Sequence, residues 1–406
     1  MEYVLASGTA VFFITFTFML FEMIIAAMSL FKKEAQNDFQ PEISIIIPAF
    51  NEEKRIKEAI ISALNSDYPK EKIEVIVVDD GSADKTAETA ESAGAKVVRQ
   101  SHSGKVDALN LGIKSSTHNF IITLDADTTI SRKFAGEIIS MFSDESVGAV
   151  SGVMKVKNNK TLLGMFQEIE YCNINLIRSS FSKIFNFGAW FFGSITCYRK
   201  SALIKTGLFK KNTASEDMDI ALELKKAGYK TLSSSKAEGY THAPESAKEL
   251  FRQRKRWWIG GIQTLRINKV SMRDSFPMKF ILFNQYWWSF YALISIPIFA
   301  YQIWYWYPHT DFAGVFWYFF RWFTITGPFY VFYKIPKWGI SAYSIFGVAT
   351  GVISITMSLL ALKIFKCRFS WRTAAAMFFF FPYTLFLNTL IAMALLTAKP
   401  QGHFIK

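Results

Sequence analysis

"EISIIIPAFNEEKRIKEAIISALNS" occupies residues 42–66 and sets the class of the fold. Residues 43–47 are an unbroken β-branched run, too short for a helix of ordinary length and apolar at every position, as in a strand buried on both faces. The strand is expected to stop at Pro48, which has no N–H to give to a sheet ladder. After it, "NEEKRIKEAIISALNS" carries charge first and then apolar residues at helical spacing.

The same alternation recurs downstream. "IEVIVVDD", "AKVVRQ", "FIITLDAD" and "VGAVSGVMKV" read as strands, with helical stretches near 83–93, 104–115 and 131–141 between them. Alternating strands and helices predict an α/β domain of Rossmann-like, doubly wound type, with a largely parallel sheet covered on both faces. Ligands in such sheets bind at the carboxyl ends of the strands, so polar residues there carry the chemistry.

Outside this region the composition changes. The chain of 406 residues is 51% hydrophobic and 17% aromatic. Its apolar residues are segregated into 4–31 and nearly everything after 279. Residues 4–31 can cross an apolar slab that takes about 20 helical residues. Glu2 precedes this stretch and Lys32 and Lys33 follow it, the reverse of a cleavable signal peptide. The expectation is an uncleaved anchor over residues 1–34 with the soluble part in the cytoplasm. Glu22 lies inside the span, either as a functional group or facing headgroups or a neighbouring helix. Apolar segments near 279–306, 312–333, 340–362 and 374–397 make three or four further spans. The second carries Arg321 and a Gly327-Pro328 break, and the flanking charges of Lys334, Lys337, Lys363, Lys366, Arg368, Arg372, Lys399 and Lys406 do not choose between three and four.

The formal net charge is +13, from 46 Lys and Arg against 33 Asp and Glu. No nucleic-acid-binding motif accompanies it, and cations beside apolar spans fit an anionic membrane leaflet. Cys172, Cys197 and Cys367 form no closely spaced pair, so neither a disulfide framework nor a zinc site is expected.

Acidic residues stand at four strand ends or helix starts: Glu52 in "PAFNEE", Asp79 and Asp80 in "VVDDGS", Asp125 and Asp127 in "LDAD", and Glu216 and Asp217 in "SEDMD". One such residue is a turn or a cap; several on one sheet converge on a crevice. Carboxylates this close call for a hard divalent cation, Mg²⁺ or Mn²⁺, that also holds phosphate oxygens. A nucleoside diphosphate compound is the substrate implied. No "GxxxxGK[ST]" or "GxGxxG" is present, which argues against an NTPase or a dinucleotide oxidoreductase. "GKVDALN" places Lys105 at the mouth of a helix, where a lysine can meet phosphate or a base carbonyl.

"SIIIPAFNEE", "VIVVDDGSADKT", "GKVDALNLGI", "ITLDADT", "FFGSITCYRKSAL", "SEDMDIALELKKAGYK" and "QRKRWW" follow one another over residues 42–262. In that order they resemble the motifs of membrane-integrated family 2 glycosyltransferases of GT-A fold, which include cellulose, chitin, hyaluronan and poly-N-acetylglucosamine synthases. The resemblance implies that Glu52, Asp80 and Lys105, with Asp79 beside them, hold the uridine of a UDP-sugar. It implies that Asp125 approaches the nucleotide and Asp127 binds the metal, with Glu216 on the acceptor side and Asp217 as general base. Asp217 follows Ser215, a candidate cap, and the positive end of the helix is expected to keep it ionised. His242 departs from the glutamate of a "TEAP" stretch and is either a structural or acceptor-lining residue or a candidate third metal ligand.

"FRQRKRWWIGGIQ", residues 251–263, had three readings: a nucleic-acid groove, a membrane-surface anchor and a catalytic lid. Gln253, Arg256 and Trp257 stand at i, i+3 and i+4 and share a helical face. They match the "QxxRW" signature, which implies that Arg256 approaches the diphosphate while Gln253 and Trp257 meet the acceptor. Arg254, Lys255 and Trp258, with Arg266, Lys269 and Arg273, are expected instead on membrane headgroups or the helix's neighbours, in an interfacial segment over 246–278.

The layout expected is an anchor over 1–34, a GT-A domain over 41–245, the interfacial segment, and membrane helices over 279–406. The activity expected is an inverting hexosyltransferase in the cell membrane, multi-pass with its catalytic domain cytoplasmic. It would build a polysaccharide or oligosaccharide, processively and with export through the C-terminal helices. Partners would be the UDP-sugar, the saccharide or lipid acceptor and membrane lipids, but no nucleic acid, with homo-oligomerisation left open. Transfer of one sugar to a lipid is the rival enzyme reading, and an inactive transferase-like scaffold or transporter the rival outside enzymes.

Overall fold

A computed structural model describes residues 2–32, 34, 37–188, 191–268, 275–306, 311–322, 324–367 and 369–398. Lys33, Lys269, Arg273, Arg368, Lys399 and Lys406, invoked above for their charge, lie outside these.

Eight strands form one sheet: β1 (Ile43–Ala49), β2 (Ile73–Asp79), β3 (Lys96–Arg99), β4 (Phe120–Leu124), β5 (Thr129–Ile130), β6 (Val147–Val156), β7 (Ile195–Arg199) and β8 (Lys230–Thr241). Their order is β3-β2-β1-β4-β7-β6-β8-β5. The half from β3 to β4 is parallel, as the alternation predicted. In the other half β6 and β8 pair in parallel as well, but the parallel pattern is interrupted. There β7 runs antiparallel to both β4 and β6, and β5 antiparallel to β8. The "ITCYR" stretch, read only as a motif, is thus a central strand.

Strand β1 continues through Pro48 to Ala49, because its pairing with β4 ends at Ile46 and leaves the proline beyond that ladder. Its two faces enter different cores. Ile43, Ile45 and Ile47 pack with Val75, Val77 and Ile122, whereas Ile46 packs with Ile76, Val78 and Leu109. Burial on both sides is why the run is apolar at every position.

Helices cover the sheet: α2 (Ile56–Leu64), α3 (Thr86–Ser92), α4 (Lys105–Ser115), α5 (Phe134–Ile139), α6 (Leu162–Phe185), α7 (Lys200–Thr206) and α8 (Glu216–Lys226), preceded by α1 (Glu2–Ser29). Beyond β8 come α9 (Ala247–Ile267), α10 (Phe276–Trp306), α11 (Phe312–Trp322), α12 (Thr326–Trp338), α13 (Ala342–Ile364), α14 (Trp371–Phe378) and α15 (Phe380–Leu396).

Among the described residues, two helices are long and apolar enough to cross a membrane, Ala6–Ser29 and Ser344–Ile364. The pair α14 and α15 makes a third if it is one span bent by 57°. The segment near 312–333 is broken between α11 and α12. Gly327 and Pro328 fall in the first turn of α12, where a missing N–H costs no helical hydrogen bond.

Helix α1 and the residues after it are tied to the domain by polar contacts. Ser29 Oγ lies 2.9 Å from Ser180 Oγ, and Glu34 accepts from the Ser235 N–H at 2.7 Å and pairs with Lys183 at 3.3 Å. Glu22 is buried at 8% exposure, on the side of α1 where Phe18, Ile25 and Ala26 join the cores shared with neighbouring helices. Of the readings offered for it, the protein-facing one fits its burial. Cys172 of α6 and Cys367 after α13, 195 residues apart, bring their sulfurs within 2.6 Å as free thiols.

Candidate active site

The carboxyl ends of β1, β2 and β4 open on the same side as the start of α8. Lys105 joins the end of β4 to the start of α8. It begins α4 after Gly104, whose φ of 96° suits glycine. Its Nζ lies 2.8 Å from Asp125 Oδ1 and 3.3 Å from Glu216 Oε1. Burial works against its charge, but the two carboxylates outweigh that and raise its pKa. Arg256 on α9 is close enough for its charge to oppose that of Lys105. Arg256 is exposed and forms no ion pair among the described residues, so its guanidinium is open to a ligand.

Asp127 is half-buried. Burial first, and then the charge of Asp125, push its pKa above the usual carboxylate range. Glu52, one turn before α2, is raised for the same reasons, with Asp127, Asp84 and Asp125 adding to burial and Arg55 opposing. This is a carboxylate set short of positive charge. Such a deficit is what a divalent cation relieves, and Mg²⁺ commonly uses one or two carboxylates with phosphate oxygens and water. Among the described residues no group of three or more His, Cys, Asp or Glu is arranged as a metal site, so His242 is not gathered with the aspartates. The His242 side chain is exposed at the end of β8.

Asp79 and Asp80 are both buried at the end of β2, and their carboxylates are engaged by the chain itself. Asp79 accepts from the Ser82 N–H at 3.3 Å. Asp80 accepts from Gln100 Nε2 and from the Ser103 and Gly104 N–H groups at 2.5, 2.8 and 2.9 Å, with His102 at 2.9 Å. Burial alone would raise its pKa, but these donors lower it overall. Asp80 thereby fixes the loop that delivers Lys105. Phe50, which the sequence reading passed over, is 43% exposed and stacks on His102 with ring centroids 4.2 Å apart, forming a flat aromatic wall beside Asp80. An exposed phenylalanine between Pro48 and Glu52 was the signal available.

Asp217 sits in the first turn of α8 with its carboxylate oriented by three donors. Ser215 Oγ and the Met218 N–H donate to Oδ1 at 3.0 and 2.8 Å, and the Gly193 N–H donates to Oδ2 at 3.2 Å. Ser215 therefore binds the aspartate rather than capping the helix, whose N-cap has no side-chain hydrogen bond. The expected ionisation near the helix end is only part of the balance. Burial, followed by repulsion from Glu216, raises the pKa of Asp217, while Lys105, Met218 and Ser215 oppose the rise. Gly193 was quoted within a motif but given no role. A Cβ there would lie 2.9 Å from the Asp217 Cβ, so the loop reaches the carboxylate only because the residue is glycine.

Helix α9 brings the signature residues to this crevice. Gly260 packs on Ala214 and Ser215, where an added Cβ would meet backbone at 2.9–3.0 Å, and Gln263 accepts from the Ala214 N–H at 3.1 Å. Trp257 packs partly buried against the main core. Of the two places expected for Arg254, membrane headgroups and the helix's neighbours, it takes the second: it is 3% exposed and salt-bridged to Glu170 of α6 at 2.7 Å. Trp258 Nε1 donates to Ser289 Oγ of α10 at 2.8 Å, so it meets the helix's neighbours.

A mixed sheet with carboxylates at its strand ends, a lysine bridge and an aspartate at a helix start defines a GT-A-type α/β transferase domain. Residues 44–212 match the model described as glycosyl transferase family 2, and the chain carries a family 2 glycosyltransferase domain. The poly-beta-1,6-N-acetyl-D-glucosamine synthase of Staphylococcus aureus (strain COL) is 30% identical over 252 residues, 60% of this chain and 60% of that protein. The synthase of the same name from Staphylococcus epidermidis is 31% identical over 242 residues, 58% of this chain and 57% of that protein. This chain thus matches less than two thirds of the length of those relatives. A mannosyltransferase from Pyrobaculum calidifontis, solved in complex with GDP-Man and Mn²⁺, shares the fold at 20% identity and a TM-score of 0.62, covering 88% of this chain and 99% of that one.

Proposed function

We propose that this chain is an inverting, UDP-sugar-dependent glycosyltransferase that extends a polysaccharide or oligosaccharide. The observation that carries the reading is the Lys105 bridge, which joins the donor-side Asp125 to Glu216, the neighbour of the candidate base Asp217. A donor and an acceptor site that share one lysine are as close as a direct displacement requires. The staphylococcal relatives make UDP-N-acetylglucosamine the first donor to test.

In this reading Glu52, Phe50 and the loop fixed by Asp80 receive the nucleoside, with Asp79 holding the turn beneath it. A Mg²⁺ or Mn²⁺ ion held by Asp127 and Asp125 would supply charge neutralisation for the diphosphate. Lys105 and Arg256 face the same charge from the protein side, where preorganised cations stabilise it most as it develops. Asp217 takes the proton of the acceptor hydroxyl from the opposite face of the sugar. Trp257 offers an apolar ring to the C–H side of the acceptor sugar, with Gln253 beside it. A covalent glycosyl intermediate is not required.

The layout of anchor, GT-A domain, interfacial segment and C-terminal spans suits a multi-pass protein of the cell membrane with its catalytic domain cytoplasmic. Processive synthesis with export through the C-terminal helices completes the proposal. The test is to size the radiolabelled product made by the purified protein from a panel of UDP-sugars, with Mg²⁺ or Mn²⁺ and after chelation. Polymer or oligomer formed only with metal supports the reading. A single-sugar glycolipid would replace its acceptor, and no transfer from any UDP-sugar would overturn it.

A further inference from the structure

Arg254 is the one cation of "QRKRWW" that the fold buries, and its surroundings reach into both the membrane-side helices and the site. Its Nη2 donates to Glu170 Oε2 of α6 at 2.7 Å. The same carboxylate oxygen accepts from the Tyr383 hydroxyl of α15 at 2.5 Å. Its Nη1 donates to Gln253 Oε1, and its guanidinium carbon lies 4.4 Å from the centre of the Trp257 ring. The contacts run on: Trp257 meets Tyr171 at 6.2 Å, Tyr171 stacks on Phe192 at 5.8 Å, and the next residue, Gly193, donates to Asp217.

We infer that Arg254 is a positioning residue for the acceptor side of the site, holding Gln253 and Trp257 through a buried link to Glu170 and Tyr383. The inference rests on the proposal that these two signature residues meet the acceptor. A buried ion pair by itself is weak evidence for stability, since apolar residues of similar size often replace one without loss. Here the guanidinium does more than pair. One nitrogen goes to Glu170 and another to Gln253, while its plane covers Trp257. Its Nε is left without a hydrogen-bond partner. That geometry favours the two signature side chains over full satisfaction of the arginine. A lysine keeps the charge but can neither bridge two acceptors in a fixed plane nor stack in the same way. The link also makes α15 a structural support of the acceptor side, so a shift of that helix is felt at Trp257.

The experiment uses the full chain in detergent, with UDP-N-acetylglucosamine as donor, a β-1,6-linked N-acetylglucosamine oligosaccharide as acceptor and UDP as the nucleotide probe. Arg254→Lys and Glu170→Gln are expected to raise the acceptor KM or lower transfer by roughly tenfold, the scale of a displaced reacting group. UDP affinity and hydrolysis of the donor by water should stay within about twofold of the parent, since those interactions are not removed. Tyr383→Phe should move acceptor KM in the same direction by a smaller factor. Trp257→Ala is the control. If it raises acceptor KM and the Arg254 and Glu170 variants do not, the positioning role is wrong while the acceptor reading stands. If Trp257→Ala leaves acceptor use unchanged, the acceptor reading fails and takes this inference with it. Equal loss of UDP binding and transfer in Tyr383→Phe, the mildest change, would mean a merely structural role and overturn the inference.

Discussion

Lys105 Nζ stands 2.8 Å from Asp125 and 3.3 Å from Glu216, so one ammonium group joins the carboxylate that follows β4 to the acidic start of α8. Lys105→Gln should weaken UDP binding and also act at a distance. Lys105 opposes the raised pKa of Asp217, so its loss lets that pKa climb further. The acidic limb of the transfer rate should move to higher pH, as measured by rate against pH at saturating donor. An unmoved limb would separate Lys105 from the base.

Asp217→Asn removes the proton acceptor and keeps the shape. Transfer should fall by roughly 10²–10⁴-fold, the usual worth of a general base, while UDP affinity persists. Product counting and UDP titration on the same preparation check this, and undiminished product would remove Asp217 as base.

Asp127→Asn should stabilise the metal-free protein near neutral pH. Burial and Asp125 raise the folded-state pKa of Asp127, so its protonated form favours the fold and that contribution is lost as pH rises through the folded-state pKa. Asparagine mimics the protonated form, so the gain should be largest above that pKa and vanish well below it. Thermal melts across pH measure this. Mn²⁺ with UDP should raise the melting temperature of the parent and not of the variant; an equal rise in both would end the ligand assignment.

Gly193→Ala places a methyl group 2.9 Å from the Asp217 Cβ. Either the loop withdraws its N–H or the carboxylate turns. Transfer should drop about tenfold or more, a cost in keeping with a misplaced reacting group, with UDP affinity retained. Full activity would mean that the N–H contact does not orient the base.

Half of the sheet was legible because its strands are buried on both faces. Ile43, Ile45 and Ile47 face one core and Ile46 the other, and no other arrangement tolerates such a run. The antiparallel insertion of β7 between β4 and β6 was not legible. "ITCYR" is a short, mixed stretch whose pairing with β4 and β6 depends on neighbours far away in sequence. In the candidate site, the types and spacing of Asp125, Asp127, Glu216 and Asp217 announced the chemistry, since carboxylates at strand ends of one sheet must converge. Which of them were already engaged was hidden: Asp80 spends both oxygens on its own loop, and Lys105 links Asp125 and Glu216, two motifs remote from each other in sequence.

By itself the sequence determined the α/β class, the acidic crevice and the helical face shared by Gln253, Arg256 and Trp257, because periodicity and residue chemistry are local properties. Only the tertiary structure decided the fate of Arg254. Helical spacing left it between the membrane surface and the helix's neighbours, and Glu170 and Tyr383, remote in sequence, supply a carboxylate and a hydroxyl where α9 meets α6 and α15. A cation is buried only where partners from elsewhere in the chain receive it, and spacing along one helix carries no record of them.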